Sequence, residues 1–215
     1  MSGVKLISYS KSCNNEKTIE DIVAYCARVS NPANQENNSS NEKLLNYLIK
    51  NNHWSPFEMV NICLEIQTTR DIARQILRHR SFSFQEFSQR YAIADLGYEF
   101  KEARLQDTKN RQNSIITDNN ILKKEWMEQQ EKVKVMSQDA YNWAIDNGIA
   151  KEQARAVLPE GMTVSRMYMN GTLRSWMHYI QLRSGNGTQK EHRDIALACL
   201  ETIKTIFPSI TQIEL

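Results

Sequence analysis

The chain has 215 residues, 40% of them hydrophobic and 24% charged, with 7 Gly and 4 Pro. That is a globular composition, long enough to bury a sizeable core, and it reads as one domain over residues 1–215. A net charge of +2 excludes a bulk attraction to nucleic acid or membrane, and no apolar run reaches the roughly 18 to 20 residues of a bilayer-spanning helix.

In chain order, the opening Met1-Ser2-Gly3-Val4-Lys5-Leu6-Ile7 lacks the apolar stretch of a secretory signal. Ile19, Ile22, Val23, Cys26 and Val29 then recur at helical spacing, with Thr18 placed as a cap. The Asn- and Ser-rich stretch 31–41 reads as a polar loop, and Leu44, Leu45, Leu48 and Ile49 mark a second short helix. His53-Trp54-Ser55-Pro56-Phe57-Glu58 is a turn-like junction. Val60, Ile62, Leu64 and Ile66 alternate with polar residues, the signature of a half-buried strand. Thr69 opens a helix from 70 to about 79, on which Arg70, Arg74 and Arg78 stand at i, i+4 and i+8, near one face.

The polar stretch 98–118 predicts no element. A long helix over about 119–147 follows, with Leu122, Trp126, Val133, Met136, Ala140 and Trp143 expected inward and Gly148 at its end. A shorter helix over 151–158 stops at Pro159. Met162, Val164, Arg166 and Tyr168 alternate as a second strand before Asn170-Gly171. Thr172 caps a helix carrying Leu173, Trp176, Met177 and Ile180, and Thr188-x-x-Glu191 reads as a capping box for a last helix ending before Pro208. The fold class is α+β, with a mixed or antiparallel sheet packed by helices.

Four cysteines (Cys13, Cys26, Cys63, Cys199) are scattered without a Cys-x-x-Cys pair, as expected of reduced cytoplasmic thiols. Four histidines without a spaced pair predict no metal site. Between residues 51 and 100 there is no lysine, yet Arg70, Arg74, Arg78, Arg80 and Arg90 all fall there. Repeated choice of guanidinium points to bidentate recognition of phosphate, carboxylate or a base edge. In 75–91 Arg78, Arg80 and Arg90 stand among Phe82, Phe84, Phe87, hydroxyls and one carboxylate, the mixture of a small-molecule pocket. The same composition also describes a basic helix end with an aromatic-anchored surface loop, or a single-strand-binding surface. Ser88 lacks a Gly-x-Ser-x-Gly elbow, and Cys199, among Ile195, Ala198 and Ile203, reads as a structural thiol. Gly185-x-Gly187 lacks the strand–helix context of a dinucleotide fingerprint. Taken alone, Arg183 is a cation near a helix C-terminus, worth about 0.3 to 1 kcal/mol there.

Arg78-His79-Arg80, seven residues, then Ser88 resembles the Arg-His-Arg-x7-Ser signature of flavin-dependent thymidylate synthases. The resemblance extends to Glu86, Arg90 and Tyr91, to His53-Trp54-Ser55-Pro56-Phe57-Glu58, to Arg155-Ala156-Val157-Leu158-Pro159, and to Leu182-Arg183 with Gln189-x-Glu191. Together these span about 53–193, and the variant segment 171–179 looks most like viral members. The resemblance implies reductive methylation of dUMP to dTMP with bound FAD, 5,10-methylenetetrahydrofolate as carbon donor and NADPH as reductant of the flavin. It implies dUMP contacts at Gln75, Arg78, Glu86, Ser88, Gln89, Arg90, Arg155 and Arg183. FAD contacts are implied at Ser55, Arg78, His79, Arg80, Ser81 and Glu86, with Thr172, Arg174 and His178, while His53 reads as either a flavin neighbour or a structural hydrogen-bonder. A homotetramer with active sites shared between subunits is implied as well. Arg183 takes the catalytic role, favouring ionisation of the uracil ring; a preorganised guanidinium there is worth roughly a few kcal/mol. Gln85 departs from the family's common Asn, and Thr172-Leu173-Arg174 from its Asn-x-Arg element, with His178 where Asn is frequent.

Overall fold

A computed structural model describes residues 3–14 and 16–214; Met1 and Ser2 of the opening segment lie outside the described residues. Seven α-helices and six strands are found among the described residues, so the fold is α+β. Four strands, β1 (Gly3–Tyr9), β2 (Asn61–Thr69), β3 (Ser83–Glu86) and β6 (Val164–Thr172), form one sheet in the order β1-β2-β6-β3. A separate two-stranded antiparallel ribbon pairs β4 (Arg104–Gln106) with β5 (Ser114–Ile116), in the stretch where no element was expected.

The described residues divide into two compact units, one comprising 67–78 and 85–167, the other the described residues of 3–66, 79–84 and 168–214. The second contains α1 (Ile19–Ala27), α2 (Asn41–Lys50), α6 (Leu173–Ser184) and α7 (Lys190–Lys204). Thr18 caps α1 as expected, and Asp21 reciprocates by accepting from the Thr18 backbone N–H. Thr172 caps α6 by accepting from the Ser175 N–H. Leu173, Trp176, Met177 and Ile180 are fully buried there, beside Ile195, Cys199 and Ile203 of α7, the helix α6 packs on. The indole N–H of Trp176 donates to the Ile62 carbonyl at 3.0 Å, tying α6 to β2 without leaving a buried donor unmet. The N-cap of the last helix is Gln189 and not the expected Thr188, and the Gln189 amide reaches Glu191.

The other unit holds α3 (Arg70–Ile76), α4 (Asn120–Asp146) and α5 (Lys151–Ala154). Asn119 caps α4 and Gly148 follows it at φ +75°, a left-handed position that suits glycine. The length of α4 matches expectation; its inward face does not. Gln130, Ser137, Tyr141 and Ala144 are buried, whereas Trp126, Val133, Met136, Ala140 and Trp143 are exposed. Gln130 turns inward because its amide clamps the Lys101 backbone, accepting from N at 2.8 Å and donating to O at 2.9 Å. The exposed set recurs at spacings of three, four and seven, a coiled-coil-like seam. β6 keeps the expected phase at Val164, buried like Met162 before it, and shifts to the opposite phase from Ser165 on. Ser165, Met167, Met169 and Gly171 face inward, Tyr168 outward, and the strand runs on through Asn170-Gly171 to Thr172.

Candidate active site

Helix α3 ends at Ile76, with Leu77 as C-cap, so Arg78 lies beyond the helix and does not continue the Arg70–Arg74 face. Those two arginines converge on Glu86. The Arg74 Nη1 is 3.1 Å from Glu86 Oε2, the Arg70 Nη1 is 3.8 Å from Oε1, and the Ser165 hydroxyl donates to Oε1 at 2.9 Å. Arg74 also reaches Glu160 through Nε at 3.1 Å. Burial, then the neighbouring charge of Arg74, holds the Arg70 guanidinium below its ordinary pKa, opposed by Glu86 and Glu160. Neither Arg70, Arg74, Glu160 nor Ser165 was singled out as a site residue from sequence. The lysine-free arginine run was the available signal, but their shared carboxylate was not visible in it.

After β3 the chain makes a turn in which Tyr91 and Ala92 N–H donate to the Ser88 carbonyl. Ser88 and Arg90 are exposed on it and Gln89 is buried. Arg90 Nη2 pairs with Glu152 Oε2 at 3.2 Å, and Arg155 Nε donates to the Glu152 carbonyl at 3.3 Å, so two of the expected nucleotide-binding arginines meet at one residue of α5. Gln75 is half-buried and Arg78 exposed. Of the expected dUMP set, Gln75, Arg78, Glu86, Ser88, Gln89, Arg90 and Arg155 thus belong to this unit, and Arg183 to the other.

In the second unit Arg183 stands in the last turn of α6, and its Nε–H donates to Nε2 of His79 at 2.9 Å. Nε2 must therefore be unprotonated, with the ring proton on Nδ1. Burial, with the Arg183 charge second, lowers the His79 pKa to about 4, which keeps it an acceptor at neutral pH. The expected flavin contacts fall around the start of the same helix. Arg174 Nη1 pairs with Glu58 Oε1 at 2.5 Å, and Arg174 Nε lies 3.5 Å from His178 Nε2. The His178 ring packs on Trp54 with centroids 4.7 Å apart, and burial, then Arg174, lowers its pKa. The Ser175 hydroxyl donates to the Ser81 carbonyl at 3.3 Å, bringing Ser81 beside the Thr172 cap. Ser55 opens a short 3-10 turn, Ser55–Glu58, and is exposed like Arg80. His53 is exposed and packs its ring against Tyr47. Gln85 sits exposed in β3, and the Thr172 hydroxyl is engaged as a helix cap. Cys199 is fully buried and its thiol pKa is pushed up by burial, as befits a structural residue.

A family model described as "Thymidylate synthase complementing protein" matches residues 5–209. A protein of Paramecium bursaria Chlorella virus 1 named "Probable flavin-dependent thymidylate synthase" is 50% identical over 209 residues, covering 97% of this chain and 96% of that one. A "Flavin-dependent thymidylate synthase" of Synechocystis sp. is 53% identical over 191 residues, covering 89% and 87%. Among solved structures, a UMP/dUMP methylase PolB from Streptomyces cacaoi bound with 5-Br dUMP superposes with a TM-score of 0.84 at 24% identity, covering 99% of this chain and 94% of that one. That superposition establishes the likeness of fold.

Proposed function

The chain belongs to the thymidylate synthase complementing protein family, the flavin-dependent thymidylate synthases, and from that premise we propose that it converts dUMP to dTMP by reductive methylation. One observation carries the reading: a half-buried guanidinium, Arg183, held by a neutral histidine of the Arg-His-Arg signature. A cation fixed in this way stabilises negative charge developing on a uracil ring without having to reorganise. In the reaction we propose, dUMP, the methylene of 5,10-methylenetetrahydrofolate, a hydride from NADPH and a proton give dTMP, tetrahydrofolate and NADP+.

The residues present fit FAD. Ser55, His79, Arg80, Ser81, Thr172, Arg174 and His178, with Arg78 and Glu86, combine cations for a diphosphate with hydroxyl and imidazole groups for ring edges. Arg78 and Arg80 are exposed, with no ion pair among the described residues, while Arg174 is already paired with Glu58. This division suits Arg80 for meeting anionic charge and Arg174 for orientation. When bound, FAD supplies hydride transfer between the reductant and the nucleotide. From the resemblance, dUMP contacts are proposed at Gln75, Arg78, Glu86, Ser88, Gln89, Arg90, Arg155 and Arg183, with Arg183 acting on the base.

The reading includes a homotetramer sharing its active sites between subunits, and the exposed seam of Trp126, Val133, Met136 and Trp143 on α4 supports self-association. It also takes residues 1–215 as one functional domain, which the match of a single family model over residues 5–209 supports. A cytoplasmic site of action is proposed on the scattered free cysteines; among the described residues no helix is long and apolar enough to cross a membrane. The direct test is the absorbance spectrum of the purified protein. A bound-flavin spectrum that sharpens or shifts on adding dUMP is expected, and colourless protein that binds no added FAD overturns the reading.

A further inference from the structure

Behind the His79–Arg183 contact lies a second buried pair. Tyr179 precedes Arg183 by one turn of α6 and is 1% exposed; His192, on α7, is fully buried. The His79 ring meets Tyr179 at 4.9 Å between centroids and 88° between planes, an edge-to-face contact. The Tyr179 hydroxyl lies 3.1 Å from Nε2 of His192, whose ring in turn stands 6.2 Å from that of His79. Phe82 and Trp176 contact the Tyr179 ring as well, at 6.0 and 5.9 Å, so the ring has little room to move.

Resting on the role given to Arg183 above, we infer that Tyr179 and His192 are positioning residues: their hydrogen bond locks the ring against which His79 stands, and His79 in turn aims the Arg183 guanidinium at the base. Neither residue needs to touch nucleotide or flavin to do this. The protonation states agree with the geometry. Burial, then Arg183 and His79, lowers the His192 pKa to about 3, and burial raises that of Tyr179 well above 10, so a neutral imidazole faces a protonated phenol at pH 7. A charged His192 would add a second cation against the charge of Arg183, loosening the set.

Tyr179→Phe keeps the ring and deletes only the hydroxyl, and His192→Asn retains a polar group in less space. With FAD-loaded protein, the exchange rate of the Arg183 Nε–H is measured by NMR, its resonance assigned through Arg183→Lys. A protected proton is expected in the parent protein, exchanging about tenfold faster in both variants. In steady state, kcat should fall about tenfold, equal to about 1.4 kcal/mol of barrier, with the KM for dUMP and the flavin spectrum unchanged. A purely structural role would instead lower flavin content and dUMP affinity together. Exchange and kcat both unchanged in Tyr179→Phe and His192→Asn overturn the inference. Parent protein that turns over no dUMP sinks the proposed activity instead, and the exchange measurement still decides whether the pair holds Arg183.

Discussion

Replacing Glu86 with Gln removes the carboxylate that faces both Arg70 and Arg74 while keeping size and most hydrogen-bonding capacity. The Glu86 and Arg70 side chains are only 18% and 12% exposed, so the pair is largely desolvated. Arg74 is 45% exposed and retains Glu160, so its loss is small. Breaking a fully buried pair costs roughly 3 to 5 kcal/mol and a surface pair 0 to 1, so this intermediate case should cost about 2 to 3 kcal/mol. For a chain of this length that corresponds to about 5 to 10 °C in melting temperature. Thermal unfolding followed by circular dichroism reads the shift. The mechanism makes a sharper demand on a second variant. Arg70→Met combined with Glu86→Gln removes the stranded guanidinium along with its partner, so the double variant should melt higher than Glu86→Gln alone. A shift below about 1 °C in the single variant, or strict additivity of the two changes, refutes the argument that a desolvated arginine depends on this carboxylate.

Gly171→Ala would place a Cβ 2.5 Å from Phe82 Cδ1 and 2.7 Å from Cε1, pushing a ring that also packs on Trp176. A cost of about 1 to 3 kcal/mol is expected from such overpacking, visible in urea unfolding; an unchanged midpoint would show that the ring yields freely. His79 and His192 both have folded pKa values depressed, to about 4 and about 3, from 6.5. Unfolded chain therefore binds more protons below pH 6.5, and stability, fully present above that pH, falls as pH drops toward 4, at up to about 1.4 kcal/mol per pH unit for each histidine. Unfolding titrations across pH 4 to 7 should show this slope diminished in His192→Asn, and an identical slope contradicts the burial of a neutral ring. Met136→Glu with Trp143→Glu charges the exposed seam of α4. Light scattering should report a smaller particle with an unchanged far-ultraviolet spectrum, and retention of the parent mass removes the seam from the assembly.

What could be read from the chain in advance follows from which residues report on packing. Helices α1 and α6 were legible because a threonine immediately precedes an apolar period, and the same threonines cap them in the structure. β2 was legible because Ile62, Leu64 and Ile66 are all fully buried on one face. β1 and β3, the two ends of the sheet order, were not; β1 has no buried residue, and only half-buried Val4 and Leu6 alternate with exposed neighbours before the pattern stops. The exposed β4–β5 ribbon was invisible for the same reason. The face of α4 was misread because its strongest apolar stripe points outward, while the buried positions are occupied by Gln130 and Ser137, whose polar groups are met within the fold. For the candidate site, the signature singled out His79 and Arg80, and the wider resemblance singled out Glu86 and Arg183. Their partners were not legible as such: Arg70 and Arg74 showed as a basic helical face without the Glu86 carboxylate they share, and Tyr179 and His192 meet His79 only through the fold. Only the fold brings Arg183 to His79, 104 positions apart.

The most direct test of the central claim is an anaerobic reaction of FAD-loaded protein with NADPH, dUMP and 5,10-methylenetetrahydrofolate, with dTMP measured as product. One dTMP should form per NADPH consumed, and Arg183→Ala should form essentially none while keeping its flavin spectrum. NADPH consumption without dTMP, or near-normal dTMP formation by Arg183→Ala, contradicts the account.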